Sequence, residues 1–228
     1  MKITRAEFRA AATSVASIPP ARHPEIALAG RSNVGKSSLL NRLTNRSSLA
    51  RTSRTPGCTR GLLFYDVNDA ITLVDLPGYG YASRSQAERR QWKVLVERYL
   101  ETREELAGVL ILVDSRRGPE QEESELAEYL QEVGLPFAFV LTKADKLTRS
   151  ALARQTAAVS KAMAPAVVLA TSSQSGAGID GVWKWIRAAI AVESELDESD
   201  GDSGGGERGG GGERDGGGED GGEDESGS

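Results

Sequence analysis

Residues 30–37, Gly-Arg-Ser-Asn-Val-Gly-Lys-Ser, place two glycines, a lysine and a hydroxyl at the spacing that a polyphosphate requires. They follow a short apolar run, Ile26-Ala27-Leu28-Ala29, and precede Leu39, Leu40 and Leu43 at helical spacing. A buried strand would end there, a loop would wrap the anion, and a helix would begin with its positive end aimed at the charge. Gly30 and Gly35 permit the close backbone approach, and Arg31, Ser32, Asn33 and Val34 supply the N–H groups. Lys36 reaches the β- and γ-phosphates, so it serves both binding and catalysis, and the Ser37 hydroxyl suits a magnesium ion.

The loop alone does not separate ATP from GTP. Thr142-Lys143-Ala144-Asp145 follows the apolar Val140-Leu141 and is a variant of the Asn-Lys-x-Asp guanine box. One carboxylate can accept from both the ring N–H and the exocyclic amine of guanine, whereas adenine offers neither donor in that place. Leaving such a buried acceptor unpaired is costly, so a site of this kind can discriminate by about 10⁴. Asp145 is the candidate carboxylate, with the Lys143 stem lying along the base. A second acid, Asp75, ends Ile71-Thr72-Leu73-Val74 and opens Asp75-Leu76-Pro77-Gly78. There it can hold magnesium, while the Gly78 N–H meets the γ-phosphate and senses its loss. Thr171-Ser172-Ser173, after Val167-Val168-Leu169-Ala170, fits a loop that backs the guanine with main-chain N–H groups.

These four segments occur in the order of the guanine-nucleotide boxes of translation-factor-type GTPases. Gly30-Arg31-Ser32-Asn33-Val34-Gly35-Lys36-Ser37-Ser38, Thr55-Pro56-Gly57-Cys58-Thr59-Arg60 and Asp75-Leu76-Pro77-Gly78-Tyr79-Gly80-Tyr81 together resemble the bacterial EngB family over about residues 1–192. That resemblance implies a cytoplasmic GTPase with magnesium as cofactor. It also implies a role in large ribosomal subunit assembly, needed for normal division and septation. By the same resemblance, Thr59 is the first-switch threonine that ligates magnesium with Ser37 and Asp75. Gly57, Cys58, Arg60 and Gly61 then flank the nucleotide beside it. Spacing alone leaves Thr52 and Thr55 as rivals.

Tyr79 stands where Ras-like enzymes carry the glutamine that orients the attacking water, and it is too large for that task. Hydrolysis is therefore slow, or the water is positioned otherwise. Asn33 offers one route, because GTPases resembling this one use an Asn there to ligate potassium; a turn residue tolerating an unusual backbone angle is the plain alternative. A GTP-sensing switch with negligible turnover off the ribosome, and a P-loop ATPase or kinase, are the competing readings.

Charge separates the chain into two parts. Residues 193–228 hold 14 acidic and two basic side chains and 14 glycines, a net of −12. The remaining 26 basic and 19 acidic side chains give residues 1–192 a net of +7, hidden beneath the overall −5. With Leu196 as its only sizeable apolar residue, the tail is expected to be disordered. It serves solubility or linkage, or competes with RNA. Arg42, Arg46, Arg51, Arg54 and Arg60 surround the first switch, and Arg84, Arg89, Arg90 and Lys93 follow the second. Such clusters suit ribosomal RNA as partner. A monomer is expected. The lone Cys58 excludes an intrachain disulfide, and no run is long and apolar enough to span a membrane.

Apolar runs at 26–29, 62–67, 71–74, 109–113, 137–141 and 167–170 predict six strands. Helices are expected between them at about 36–44, 84–104, 120–133, 148–163 and 178–191. The class is α/β, a Ras-like P-loop GTPase domain with a six-stranded, mostly parallel sheet covered on both faces. Residues 1–24 are expected to form an N-terminal helix (about Thr4 to Val15) and a lead-in, and 25–192 the GTPase domain. Residues 45–60 should be mobile without nucleotide. Trp183 and Trp185, two apart, cannot share one helix face, which leaves two outcomes: one of them exposed, or both in the core, the commoner fate of a tryptophan.

Overall fold

The structure is a computed structural model that describes residues 2–50, 61–79 and 86–201; side chains are described for all of these except 86–89, 92 and 193–201. The expectations placed on residues 51–60, 80–85 and 202–228 lie outside the described residues.

Seven strands form one sheet: β1 (Ala6–Ala12), β2 (Glu25–Gly30), β3 (Leu62–Val67), β4 (Ile71–Asp75), β5 (Leu106–Asp114), β6 (Phe137–Thr142) and β7 (Val167–Ala170). Their order is β1-β3-β4-β2-β5-β6-β7. The four pairings from β4–β2 through β6–β7 are parallel, and those of β3 with β1 and β4 are antiparallel. Five helices cover the sheet: α1 (Lys36–Leu43), α2 (Gln86–Thr102), α3 (Gln121–Glu132), α4 (Arg149–Ala162) and α5 (Ile179–Gly201).

Every residue of β2 is buried, as expected for a central parallel strand covered on both faces. Successive side chains point to opposite sides. Ile26 and Leu28 join one core cluster with Leu39, Leu40 and Leu43 of α1 and with Trp183 and Ile186 of α5. Ala27 and Ala29 join the other, with Tyr99 of α2, Leu130 of α3 and Val159 of α4. Because β2 lies between β4 and β5, the loop after Gly30 opens where the chain crossings reverse. That is where open α/β sheets place their ligands.

Two expectations need correction. The stretch read as a helix from Thr4 to Val15 contains β1, which makes a seventh strand. Its Ala-rich composition favours a helix, but β3 would otherwise be an unpaired edge. The backbone pairs with Leu62–Val67 instead, and Phe8 packs edge-on against Tyr65 at 5.7 Å. Second, α5 runs to Gly201, nine residues into the segment expected to be disordered. Glu193, Glu195, Leu196 and Glu198 favour a helix, and the first glycine arrives only at 201. Of the two outcomes left open for Trp183 and Trp185, core packing is the one found, and neither is exposed. Trp183 is buried and donates from Nε1 to the Leu43 carbonyl at 3.3 Å. Trp185 is half-buried against Gly108, where an added Cβ would come within 2.9 Å of the ring.

Candidate functional site

The loop after β2 has the backbone that its glycines allow. Gly30 has φ 147°, Asn33 φ 63° and Gly35 φ 116°, all in the region that disfavours side chains. A Cβ on Gly30 would lie 2.7 Å from the Leu112 carbonyl oxygen of the neighbouring strand. Gly35 caps α1, so the first turn's N–H groups open toward the loop, and Leu39 N–H already donates to the Gly35 carbonyl at 2.8 Å. Lys36 is buried; its Nζ donates to the Gly30 carbonyl at 3.1 Å and feels the Asp75 charge. The loop therefore curls round its own lysine, leaving a nest of backbone donors for an anion.

The segment after β4 closes one side of this nest. Leu76 N–H donates to the Leu28 carbonyl at 3.0 Å, and Ser32 N–H donates to the Tyr79 carbonyl at 3.1 Å. Leu76 and Pro77 are buried, and a Cβ on Gly78 would sit 2.9 Å from the Ser32 nitrogen. Gly78 is thus the residue that lets this segment touch the phosphate loop. The Tyr79 hydroxyl is set against Glu123 of α3, and burial together with that carboxylate raises it far above its usual range. Its ring is committed to α3, so it does not replace a water-orienting glutamine.

Asp75 is 1% exposed. It bonds the Ser37 hydroxyl, while its Oδ1 is buried without a hydrogen-bond partner. An orphaned carboxylate oxygen next to a hydroxyl is a donor set of hard oxygens, which suits magnesium. Ser37 and Asp75 would hold such an ion, which supplies positive charge to the β- and γ-phosphates. The third expected ligand, Thr59, and its neighbours Gly57, Cys58 and Arg60 lie outside the described residues. Gly61 is described: it packs against the Ala12 carbonyl with no room for a Cβ, so β1 itself requires a glycine there.

Burial pushes the Asp75 carboxyl up from 3.8 to about 6, against the opposing pull of Lys36 and Ser37. The sign follows directly. Between these two values the folded state holds a proton that the unfolded chain has lost. Stability of the nucleotide-free protein should therefore fall as pH rises from about 4 to about 6, and the cost persists above that. Asp75→Asn removes the cost. It is expected to stabilise the nucleotide-free, metal-free protein by roughly 2–3 kcal/mol at pH 7 and by almost nothing at pH 4. Urea unfolding of both proteins at the two pH values checks this; equal differences at both would refute it.

The side expected from the sequence to meet the base is built by β6 and the loop after β7. Thr142 Oγ1 donates to the Val34 carbonyl at 2.7 Å, pinning the strand end to the phosphate loop. Lys143, at φ 57°, reaches across with Nζ 2.8 Å from the Asn33 carbonyl. Ala144 N–H donates to the Thr171 carbonyl at 3.0 Å. The Ser172 hydroxyl donates to Asp145 Oδ1 at 2.6 Å, and Lys146 lies 3.3 Å from Oδ2. These contacts, the Ser172 bond foremost, lower the Asp145 carboxyl, so an ionised acceptor faces the site at neutral pH. Thr171 and Ser172 are buried and Ser173 is half-buried.

Two participants, Asp114 and Asn41, were not foreseen from sequence. Asp114 ends β5 and accepts from Lys143 Nζ at 3.0 Å; an acid closing a long apolar run was its only signal. Asn41 accepts from Ala50 N–H at 2.7 Å and donates to the Ala50 carbonyl at 2.8 Å, tying the entrance of the first switch to α1. Arg31 pairs with Glu120 and Glu122 at the start of α3, turning its side chain toward that helix.

A Ras-like sheet, a lysine-bearing nest after β2, an acid at the end of β4 and a Lys-x-Asp loop after β6 define a P-loop GTPase. A family model described as "50S ribosome-binding GTPase" matches residues 25–143. The "Probable GTP-binding protein EngB" of Pelotomaculum thermopropionicum is 57% identical over 150 residues, spanning 66% of this chain and 76% of that protein. The protein of the same name from Shouchella clausii is 43% identical over 195 residues, spanning 84% and 99%. The chain belongs to the EngB family of GTP-binding proteins. Its fold is shared with a crystal structure of a probable GTP-binding protein EngB, at TM-score 0.59 and 22% identity over 73% of this chain and 98% of that one. It is shared too with Era solved in complex with MgGDPNP and a segment of 16S ribosomal RNA, at TM-score 0.60 and 22% identity over 72% and 56%. GTP is the substrate this family implies, and GTP hydrolysis its activity. Among the described residues, no helix is long and apolar enough to cross a membrane.

Proposed function

We propose that this protein is a GTP-dependent switch in assembly of the large ribosomal subunit, acting in the cytoplasm as a monomer, with normal division and septation depending on it. The observation that carries the nucleotide reading is the Asp145 carboxylate, oriented by Ser172 beside a Lys143 that grips the phosphate loop. The ribosomal reading draws support from the family's description and from Era, a fold neighbour solved with ribosomal RNA. Chemistry adds to it: Arg42 and Arg46 are exposed at the end of α1, and Arg90 and Lys93 are exposed on α2. Cationic side chains beside both nucleotide-sensing segments are placed to trade phosphate contacts for counterions. Magnesium at Ser37, Asp75 and Thr59 belongs to the same proposal.

Sedimentation with ribosomal subunits tests it. Co-migration with the large subunit is expected under a non-hydrolysable GTP analogue and release under GDP; absence from that fraction in both states would refute the role. Potassium ligated through Asn33 would supply the positive charge that an arginine finger otherwise gives. Its test is the steady-state GTPase rate in potassium and in sodium at equal ionic strength, and indistinguishable rates reject it.

A further inference from the structure

Asp114 stands beside the machinery described above, lining the same cavity as Asn33 and Lys143. It closes β5 with its side chain 11% exposed, so its charge is set by neighbours more than by water. Two cations converge on it. Arg116 donates from Nε at 2.9 Å, from Nη2 at 2.7 Å and from its backbone N–H at 3.1 Å, fixing the plane of the carboxylate. Lys143 Nζ donates to Oδ2 at 3.0 Å and, with another hydrogen, to the Asn33 carbonyl at 2.8 Å. Together these bonds, the Arg116 side-chain bond foremost, hold the Asp114 carboxyl well below the usual carboxylate range, so it is ionised at neutral pH.

Lys143 needs such a hold. Its backbone is left-handed, a conformation disfavoured for a side-chain-bearing residue, and a third of its side chain is open to solvent. A four-carbon ammonium in that position loses little by swinging into water unless its far end is anchored. The Asn33 carbonyl alone is a neutral acceptor on a loop; Asp114 adds a charged one on a strand. Asp114 is paired in register with Thr142, the residue before Lys143, so the anchor and the anchored segment are locked by the sheet.

We propose that Asp114 is a positioning residue for nucleotide affinity: by holding Lys143 Nζ against the Asn33 carbonyl, it fixes the stem on which guanine rests and ties the base loop to the phosphate loop. This rests on the guanine-site reading of Lys143 and Asp145. Because neither contact involves the γ-phosphate, the effect falls on GDP and GTP alike, and Asp114 sets residence time rather than the sensing of hydrolysis.

The test is stopped-flow dissociation of N-methylanthraniloyl-GDP from the full-length chain. Asp114→Asn, which keeps the shape, and Asp114→Ala are each expected to speed release by roughly ten- to a hundred-fold, the worth of a charge-assisted hydrogen bond. In a Lys143→Ala background the same substitutions should add less than about twofold, since coupled residues do not act additively. Release as slow as in the unaltered protein from Asp114→Asn, or a full effect persisting without Lys143, overturns the proposal. A Lys143→Ala protein that itself releases at the original rate fails the guanine-site reading instead, so the two failures are distinct.

Discussion

Asp145→Asn should exchange the preferred base from guanine to xanthine. The carboxylate has two acceptors for the two donors on the guanine edge; xanthine presents a carbonyl where guanine has its amine. The Ser172 hydroxyl donates to Oδ1 at 2.6 Å, and this decides which way an amide would turn. An Asn at 145 keeps its oxygen on Ser172, leaving Nδ2 in place of Oδ2 and facing the base. That nitrogen repels the guanine amine and satisfies the xanthine carbonyl. The expected loss for GTP is about 10³–10⁴-fold, because a site built for a donor rejects the partner lacking complementarity. Xanthosine triphosphate should recover most of it. Competition of GTP, XTP and ATP against a fluorescent guanine nucleotide measures all three. An unchanged GTP-to-XTP ratio would show that Asp145 does not read the base, and ATP is expected to remain a weak competitor throughout.

What could be read ahead of the structure was chemistry confined to a few neighbouring residues. Gly30 to Ser37 specify their own loop, because the glycines, the lysine and the hydroxyl act within one turn of chain. Asp75 and Asp145 are readable for a related reason: Asp75 ends an apolar strand and Asp145 follows one closely, in the turn after Thr142, and the C-terminal ends of such strands are where sheets of this kind place ligands. Ala6 to Ala12 were not readable, since their local preference is helical and their fate is decided by β3, far along the chain at Leu62–Val67. Asp114 shares the strand-end position of Asp75, yet its meaning lies in Lys143, 29 residues on, and in a side-chain direction that no periodicity encodes. Trp185 is similar. Its half-burial depends on Gly108 of β5 leaving room for a ring carried by α5.

The same strand that delivers the phosphate loop begins with a buried charge, and there the largest stability effect is expected. Glu25 is fully buried at the first position of β2, accepting from the Tyr99 hydroxyl at 2.8 Å, Arg103 Nε at 2.9 Å and Arg103 Nη2 at 2.6 Å. Among the described residues Arg103 is the cation bonded to it, so Arg103→Met leaves a dehydrated carboxylate held by the Tyr99 phenol. The expected cost is about 3–5 kcal/mol, since breaking a buried pair strands a charge. Replacing both partners, as Glu25→Leu with Arg103→Met, should recover most of that loss, because an apolar pair of similar bulk needs no counter-charge. Urea unfolding of the nucleotide-free proteins measures both. A loss under about 1 kcal/mol for Arg103→Met would place the pair with screened surface bridges instead. Glu25 and Gly30 are opposite ends of one strand, so the two roles should separate. The folded fraction of the Arg103→Met protein is expected to bind GDP within about twofold of the original, as distant sites act nearly independently. Saturating nucleotide should then raise its unfolding midpoint by mass action alone. The far end of β2 holds the strand in place, and the near end does the binding.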